Sequence, residues 1–232
     1  NGSEKMRTPL ADALRPKDIS EVAGQRHILS EGKILRRIIE SGDIPNLIFY
    51  GPSGVGKTTI AKIIASQTGK KLCYLNATTA STADIKEIIG EIGTMEAAGG
   101  ILLYLDEIQY FNKKQQQILL SYIENGDITL IASTTENPYF YVYSAILSRS
   151  TVFEFKTLSA DDISEVIKRA IAKISEEKGK NIKISDDSIN KMASAAAGDV
   201  RKALNTLELC VMTSENEKDI IRFISYITMY ST

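Results

Sequence analysis

The segment "GPSGVGKT" at residues 51–58 fits the pattern G-x-x-x-x-G-K-[ST] and stands between a strand-like apolar run and a helix-like one. Gly51, Gly54 and Gly56 let the backbone curl so that several N–H groups point inward at phosphate oxygens, with Pro52, Ser53, Val55 and Thr59 completing the loop. The helix that starts there adds the positive end of its dipole. In such a loop the Lys57 ammonium reaches the β- and γ-phosphates, and the Thr58 hydroxyl is a ligand for Mg2+. The plainer reading is a glycine-rich turn with an incidental lysine.

A second chemical signal is "ILLYLDE" (101–107), a buried-strand pattern that ends in adjacent carboxylates, Asp106 and Glu107. Charges at the end of such a strand are costly unless they have a partner or a task. Beside a phosphate loop, Asp106 would hold Mg2+ through its water shell and Glu107 would orient and polarise an attacking water. Two solvated acids on an exposed strand end are the bland alternative. The second acid points to hydrolysis, because a small-molecule kinase needs no water-activating glutamate. ATP and Mg2+ are therefore the expected cofactors. A third residue poses a question: Arg149, in "SAILSRS" (144–150), closes a short apolar turn just before "TVFEF". It is either a solvated surface charge or a group aimed at something this chain alone does not contain.

These residues need a frame. "LIFYG" (47–51), "KLCYLNA" (71–77), "ILLYLDE" (101–107), "ITLIASTT" (128–135) and "TVFEF" (151–155) read as five strands. Helical patterns separate them: the run from Lys57 to the stop at Gly69, then 81–98 with Ile85, Ile88, Ile89 and Ile92, then 112–126 with Leu119, Tyr122 and Ile123. Strands alternating with helices predict a parallel sheet covered on both faces, an α/β fold of the phosphate-loop NTPase type. After Lys156 the strands stop. Helices are expected over 159–179, 185–198 and 199–212, the first two starting on a capping serine and running to a glycine. The expected organisation is a flexible start or tag remnant at 1–8, an α/β nucleotide-binding domain at 9–156 and a small all-helical lid at 157–232.

Composition excludes much else. The 232 residues carry a formal net charge of −1, which argues against a bulk polycation while leaving room for a local basic groove. One histidine, His27, and two distant cysteines, Cys73 and Cys210, leave no basis for a zinc site or a Ser-His-Asp triad; the cysteines read as buried small hydrophobes. No run of eighteen apolar residues and no signal-peptide pattern is present, so a cytoplasmic location is expected.

Lys57, Thr58, Asp106 and Glu107, followed by "ASTTENP", "ILSRS" and "GDVRKALNTLE", resemble the clamp-loader-related AAA+ ATPases. More narrowly, "DEIQYFNKKQQQILLSYIENGDITLIASTTENPYFYVYSAILSRS" resembles the replication-associated recombination protein A family, which includes the eukaryotic Werner-helicase-interacting ATPases. The likeness runs from about Pro9 to about Met212. It implies that "LADALRPKDISEVAGQ" (10–25) folds over the adenine, with Arg15, Pro16, Val22 and Gly24 at the matching positions. It implies that Thr134, or its neighbour Thr135, is the sensor-1 residue that helps position the water. Arg201 becomes sensor 2, reaching the γ-phosphate from the helical domain, although a solvated first-turn arginine is the plain alternative. Arg149 becomes an arginine finger serving the neighbouring subunit.

The family likeness further implies a homo-tetramer, action on single-stranded, gapped or forked DNA at replication forks, nucleoid association, and replication partners such as single-strand-binding protein. Two departures stand out. Gln109 and Tyr110 replace the basic or histidine residues usual after the carboxylates, and the chain ends at "FISYITMYST" without the family's C-terminal oligomerisation domain. Lys70, Lys71, Lys113, Lys114 and "YFYVY" (139–143) are the candidate nucleic-acid contacts, each read more readily as a solvated face or loop packing. A DNA-remodelling ATPase leads these readings. A clamp-loader subunit or branch-migration motor is the near alternative, and a nucleotide-gated scaffold with little turnover is the alternative from a different class.

Overall fold

A computed structural model describes residues 8–230; the leading segment up to residue 7, including the expected tag remnant, lies outside the described residues. The strands are β1 (Asn46–Tyr50), β2 (Lys71–Asn76), β3 (Ile101–Asp106), β4 (Ile128–Thr134) and β5 (Ser150–Glu154). In chain order the helices are α1 (Leu10–Ala13), α2 (Arg26–Leu29), α3 (Ile34–Ser41), α4 (Lys57–Thr68), α5 (Thr82–Gly90), α6 (Lys113–Glu124), α7 (Pro138–Tyr141) and α8 (Ser144–Leu147), then α9 (Ala160–Lys178), α10 (Asp186–Ala195), α11 (Val200–Thr213) and α12 (Glu217–Tyr230). The chain divides into two compact units, Lys17–Lys156 and Thr157–Thr232, the latter joined by the start of the chain up to Pro16.

The first unit is built on one parallel five-stranded sheet in the order β2-β3-β4-β1-β5. In β3 the residues Ile101–Leu105 are all buried, as a strand covered on both faces requires. On one face Ile48, Leu103, Leu105 and Leu130 pack against Ile85 and Ile88 of α5, Leu119 of α6 and Ile146 of α8. Each such buried aliphatic side chain contributes about 1.5–3 kcal/mol, which anchors the carboxylate-bearing end of β3. The other face is covered by α4, whose Ile60, Ile63 and Ile64 are buried.

The strand order decides where the chemistry meets. β4 lies between β1 and β3, with Tyr50 opposite Thr134 and Leu105 opposite Ala132. The ends of β1, β4 and β3 therefore stand side by side, in the crevice where ligands bind open α/β sheets.

Most expected elements form, with differences at the ends and in the gaps. The helix expected over 81–98 stops at Gly90; Gly93 takes a left-handed φ of +82°, the Thr94 hydroxyl bonds the Glu91 carbonyl at 2.7 Å, and a separate 3-10 turn covers Met95–Ala97. Helices α3 and α12 and the short α1, α2, α7 and α8 were not anticipated.

In the second unit, α9, α10 and α11 start on side-chain caps from Ser159, Ser185 and Asp199. The segment Leu10–Pro16 groups with this unit, where the sequence placed it in the α/β domain. Leu10 is buried and its N–H bonds Glu208 Oε2 at 3.2 Å, and Lys173 reaches the Ala13 carbonyl at 3.4 Å.

Candidate active site

The loop after β1 has the shape that cradles an anion. Gly51 has φ +150°, and a Cβ placed there would lie 2.2 Å from the Phe155 carbonyl oxygen, so only glycine fits. Gly56, at φ +111°, caps α4 without any side-chain bond to its first amides, leaving their N–H groups to a ligand. Val22 lies 3.8 Å from where a side chain on Gly56 would begin, and Gly24 takes a φ of +67° just before the buried Gln25. The Gln25 amide donates to the Val55 carbonyl at 3.1 Å and to the Lys156 carbonyl at 2.7 Å, and accepts from Lys156 N at 2.9 Å. This clamp fixes the loop to the end of β5. Nothing local in the sequence marked Gln25, because its partners are far along the chain.

Lys57 is buried and its ammonium donates to the Gly51 carbonyl, with the Thr134 carbonyl 3.5 Å away. Burial pushes its pKa below the usual lysine value, against the pull of the Glu107 and Asp106 carboxylates. Such a group gains from a polyanion that displaces its backbone partners.

Asp106 ends β3 with both oxygens engaged. Oδ1 accepts from the Ser133 hydroxyl and Oδ2 accepts from the Tyr74 phenol at 3.2 Å. The Thr58 hydroxyl lies 3.0 Å from the Tyr104 phenol. Tyr104 is 1% exposed, and burial pushes its phenol up to about 12, so it stays protonated throughout the ordinary pH range. The sequence reading missed Tyr74, Tyr104 and Ser133. The strand period of two was the available signal for Tyr104, which shares a sheet face with Asp106.

Glu107 follows the strand in a left-handed conformation, φ +55°, which turns its side chain out of the β3 pattern. Its Oε2 accepts from the Gln109 amide and from the Thr135 hydroxyl at 3.3 Å. The Gln109 oxygen is buried without a hydrogen-bond partner, so this side chain holds Glu107 at the expense of its own acceptor. Thr134 is fully buried and its hydroxyl is used in a turn, donating to Glu136 O at 3.3 Å and accepting from Glu136 N at 3.0 Å. Of the two candidate threonines, Thr135 touches the glutamate.

Arg149 does not join this cluster. Its position just before Ser150, opposite Asn46, puts it at the start of β5, whereas the phosphate loop follows the end of β1. Four residue steps separate these edges, about 13 Å at 3.3 Å per step. Its guanidinium pairs with Glu124 at 2.9 Å and donates to the Ala145 carbonyl at 2.9 Å. Arg15, Pro16 and Arg201 belong to the other compact unit. There Arg15 pairs with Asp12 at 3.1 Å while its Nη1 is buried without a partner, and Arg201 stands exposed in the first turn of α11.

The oxygens of Thr58 and Asp106 suit a hard cation. Mg2+ commonly takes one or two protein oxygens and draws the rest from water and phosphates. Thr58 and Asp106 supply two such oxygens; among the described residues no cluster of three or more His, Cys, Asp or Glu could hold a metal. Cys73 and Cys210 are both buried, and among the described residues no helix is long and apolar enough to cross a membrane.

Residues 47–158 match the ATPase family associated with various cellular activities (AAA). The chain is 40% identical over 209 residues to replication-associated recombination protein A of Escherichia coli K12, covering 89% of this chain and 47% of that protein. It is 35% identical over 219 residues to the ATPase WRNIP1 of Dictyostelium discoideum, covering 94% of this chain and 25% of that one. It thus spans about half the length of the bacterial relative. Among solved structures, the Thermotoga maritima RuvB Holliday junction branch migration motor aligns with a TM-score of 0.73 at 24% identity, over 92% of this chain and 72% of that one. That likeness shows a shared fold.

Proposed function

We propose, from the match of residues 47–158 to the AAA family, that the chain is a Mg2+-dependent ATPase acting on DNA in replication-fork maintenance and recombination. The observation that carries this reading is the convergence of Lys57, Thr58, Asp106 and Glu107 at the adjoining ends of β1, β4 and β3. The relationship to replication-associated recombination protein A supplies the DNA context.

The loop amides and Lys57 would bind the β- and γ-phosphates, compensating the charge that burial makes costly on the free lysine. Thr58 and Asp106 would hold Mg2+, which when bound neutralises charge building on the phosphoryl oxygens. Glu107, released from Gln109, would accept a hydrogen bond from the attacking water and polarise it. Thr135, already on the Glu107 carboxylate, is the better placed candidate for the sensor-1 role. Val22 and Gly24, beside the phosphate loop, would border the nucleotide, and Arg15 and Pro16 are proposed for the adenine on the family likeness alone. Arg201 is proposed for the sensor-2 role on the family likeness alone.

Arg149, at the far edge of its own sheet, would complete the site of a neighbouring copy, where such a guanidinium is worth about 10³–10⁵ in rate. Homo-oligomers, single-stranded, gapped or forked DNA, replication proteins such as single-strand-binding protein, and a cytoplasmic, nucleoid-associated location complete the reading.

The test is Glu107→Gln. The variant should bind ATP as tightly as the wild type and lose hydrolysis by two orders of magnitude or more, within the range for a positioned base. Unimpaired hydrolysis would refute the assignment. DNA-dependent function retained in the non-hydrolysing variant would favour a nucleotide-gated scaffold over a motor.

A further inference from the structure

We infer that Tyr104 and Tyr74 form a bracket that sets both Mg2+ ligands before nucleotide arrives, which makes them positioning residues for metal-bound nucleotide. The inference rests on the reading of this site as one for Mg2+ and ATP. The two tyrosines are register partners on β3 and β2, stacked with ring centroids 5.8 Å apart and planes 26° from parallel. Their hydroxyls diverge to different ligands. The Tyr104 phenol is 3.0 Å from Thr58 Oγ1, and the Tyr74 phenol donates to Asp106 Oδ2 at 3.2 Å. Ser133 donates to the other Asp106 oxygen and also faces the Tyr104 phenol.

A threonine hydroxyl that offers a lone pair to a cation must send its proton elsewhere, and the Tyr104 oxygen, 3.0 Å away, is an acceptor within reach. Ser133, beside the Tyr104 phenol, donates to the Asp106 carboxylate. Tyr74 fixes the remaining Asp106 oxygen, so each oxygen keeps lone pairs for the waters of the metal. Mg2+ tolerates little deviation from octahedral geometry, and the partners that orient its ligands therefore govern its affinity. A tyrosine placed at residue 104 only to fill the sheet–helix space would need no hydroxyl.

The test is Tyr104→Phe and Tyr74→Phe, which keep both rings and remove the hydroxyls. Binding of a fluorescent N-methylanthraniloyl ATP is titrated in EDTA and again across Mg2+ concentration, with the melting temperature recorded beside it. Each variant should bind like the wild type in EDTA but need about tenfold more Mg2+ for half of the metal-dependent tightening, the low end for loss of a ligand-orienting partner. An unchanged Mg2+ midpoint in both variants would overturn the bracket. So would an equal loss with and without Mg2+, which marks damage to the phosphate loop. Should Tyr104→Phe fail to fold, Tyr74, 52% exposed on an edge strand, carries the test alone. A wild-type chain that binds no nucleotide in either condition would instead overturn the nucleotide site itself.

Discussion

At the residue scale, the groups proposed for the chemistry rest in pairs that a ligand or a partner would have to break. Lys57 leans on backbone carbonyls, Glu107 on Gln109 and Thr135, and Arg149 on Glu124. Lys57→Met should abolish ATP binding in a direct binding assay while leaving the melting temperature of the free protein unchanged or raised. Its burial lowers its pKa, so the folded state disfavours the charged form that neutral pH imposes, and removing the charge removes that cost. For the sensor position, Thr135→Val should lower the turnover number more than tenfold with little change in KM, a loss within the range for groups that position a proton acceptor. Thr134→Val should show its effect first in thermal stability, because its hydroxyl serves the turn at Glu136. The exposed pair of Arg149 and Glu124 is worth about 0–1 kcal/mol, which is weak enough to release the arginine to another partner. Glu124→Gln should therefore leave stability within about 0.5 kcal/mol in chemical denaturation.

At the scale of elements, the phosphate loop is held by close backbone approach as much as by hydrogen bonds. Gly51→Ala would drive a methyl group against the Phe155 carbonyl and should cost about 1–3 kcal/mol or more, read as a lower denaturation midpoint together with weakened nucleotide binding. The five strands and the helices at 57–68 and 113–124 were legible because their apolar residues repeat with the strand or helix period and end at glycine or a cap. The end of α5 was not, because Ile92 continues the apolar pattern past Gly90, where the glycine at residue 93 and the Thr94–Glu91 bond redirect the chain. In the site, Lys57, Thr58, Asp106 and Glu107 were legible from local motifs. The Tyr74–Tyr104 pair, Ser133 and Gln25 were not, since their meaning depends on strand register and on partners far along the chain. Which of Thr134 and Thr135 reaches the Glu107 carboxylate likewise needed the geometry of the turn after β4.

At the scale of the whole molecule, the parallel sheet separates two chemistries. The phosphate loop and carboxylates gather at the ends of β1 and β3, while Arg149 stands at the start of β5. No short side-chain motion closes a gap of that kind, so the arginine serves either its own surface or another copy of the chain. The measurement that decides is the ATP hydrolysis rate per subunit against protein concentration, with and without gapped DNA, for the wild type and for Arg149→Ala. The account predicts a wild-type rate that climbs with concentration or with DNA, and an Arg149→Ala rate that stays low and flat although ATP binding is intact. A rate independent of concentration, and shared by the variant, would contradict it.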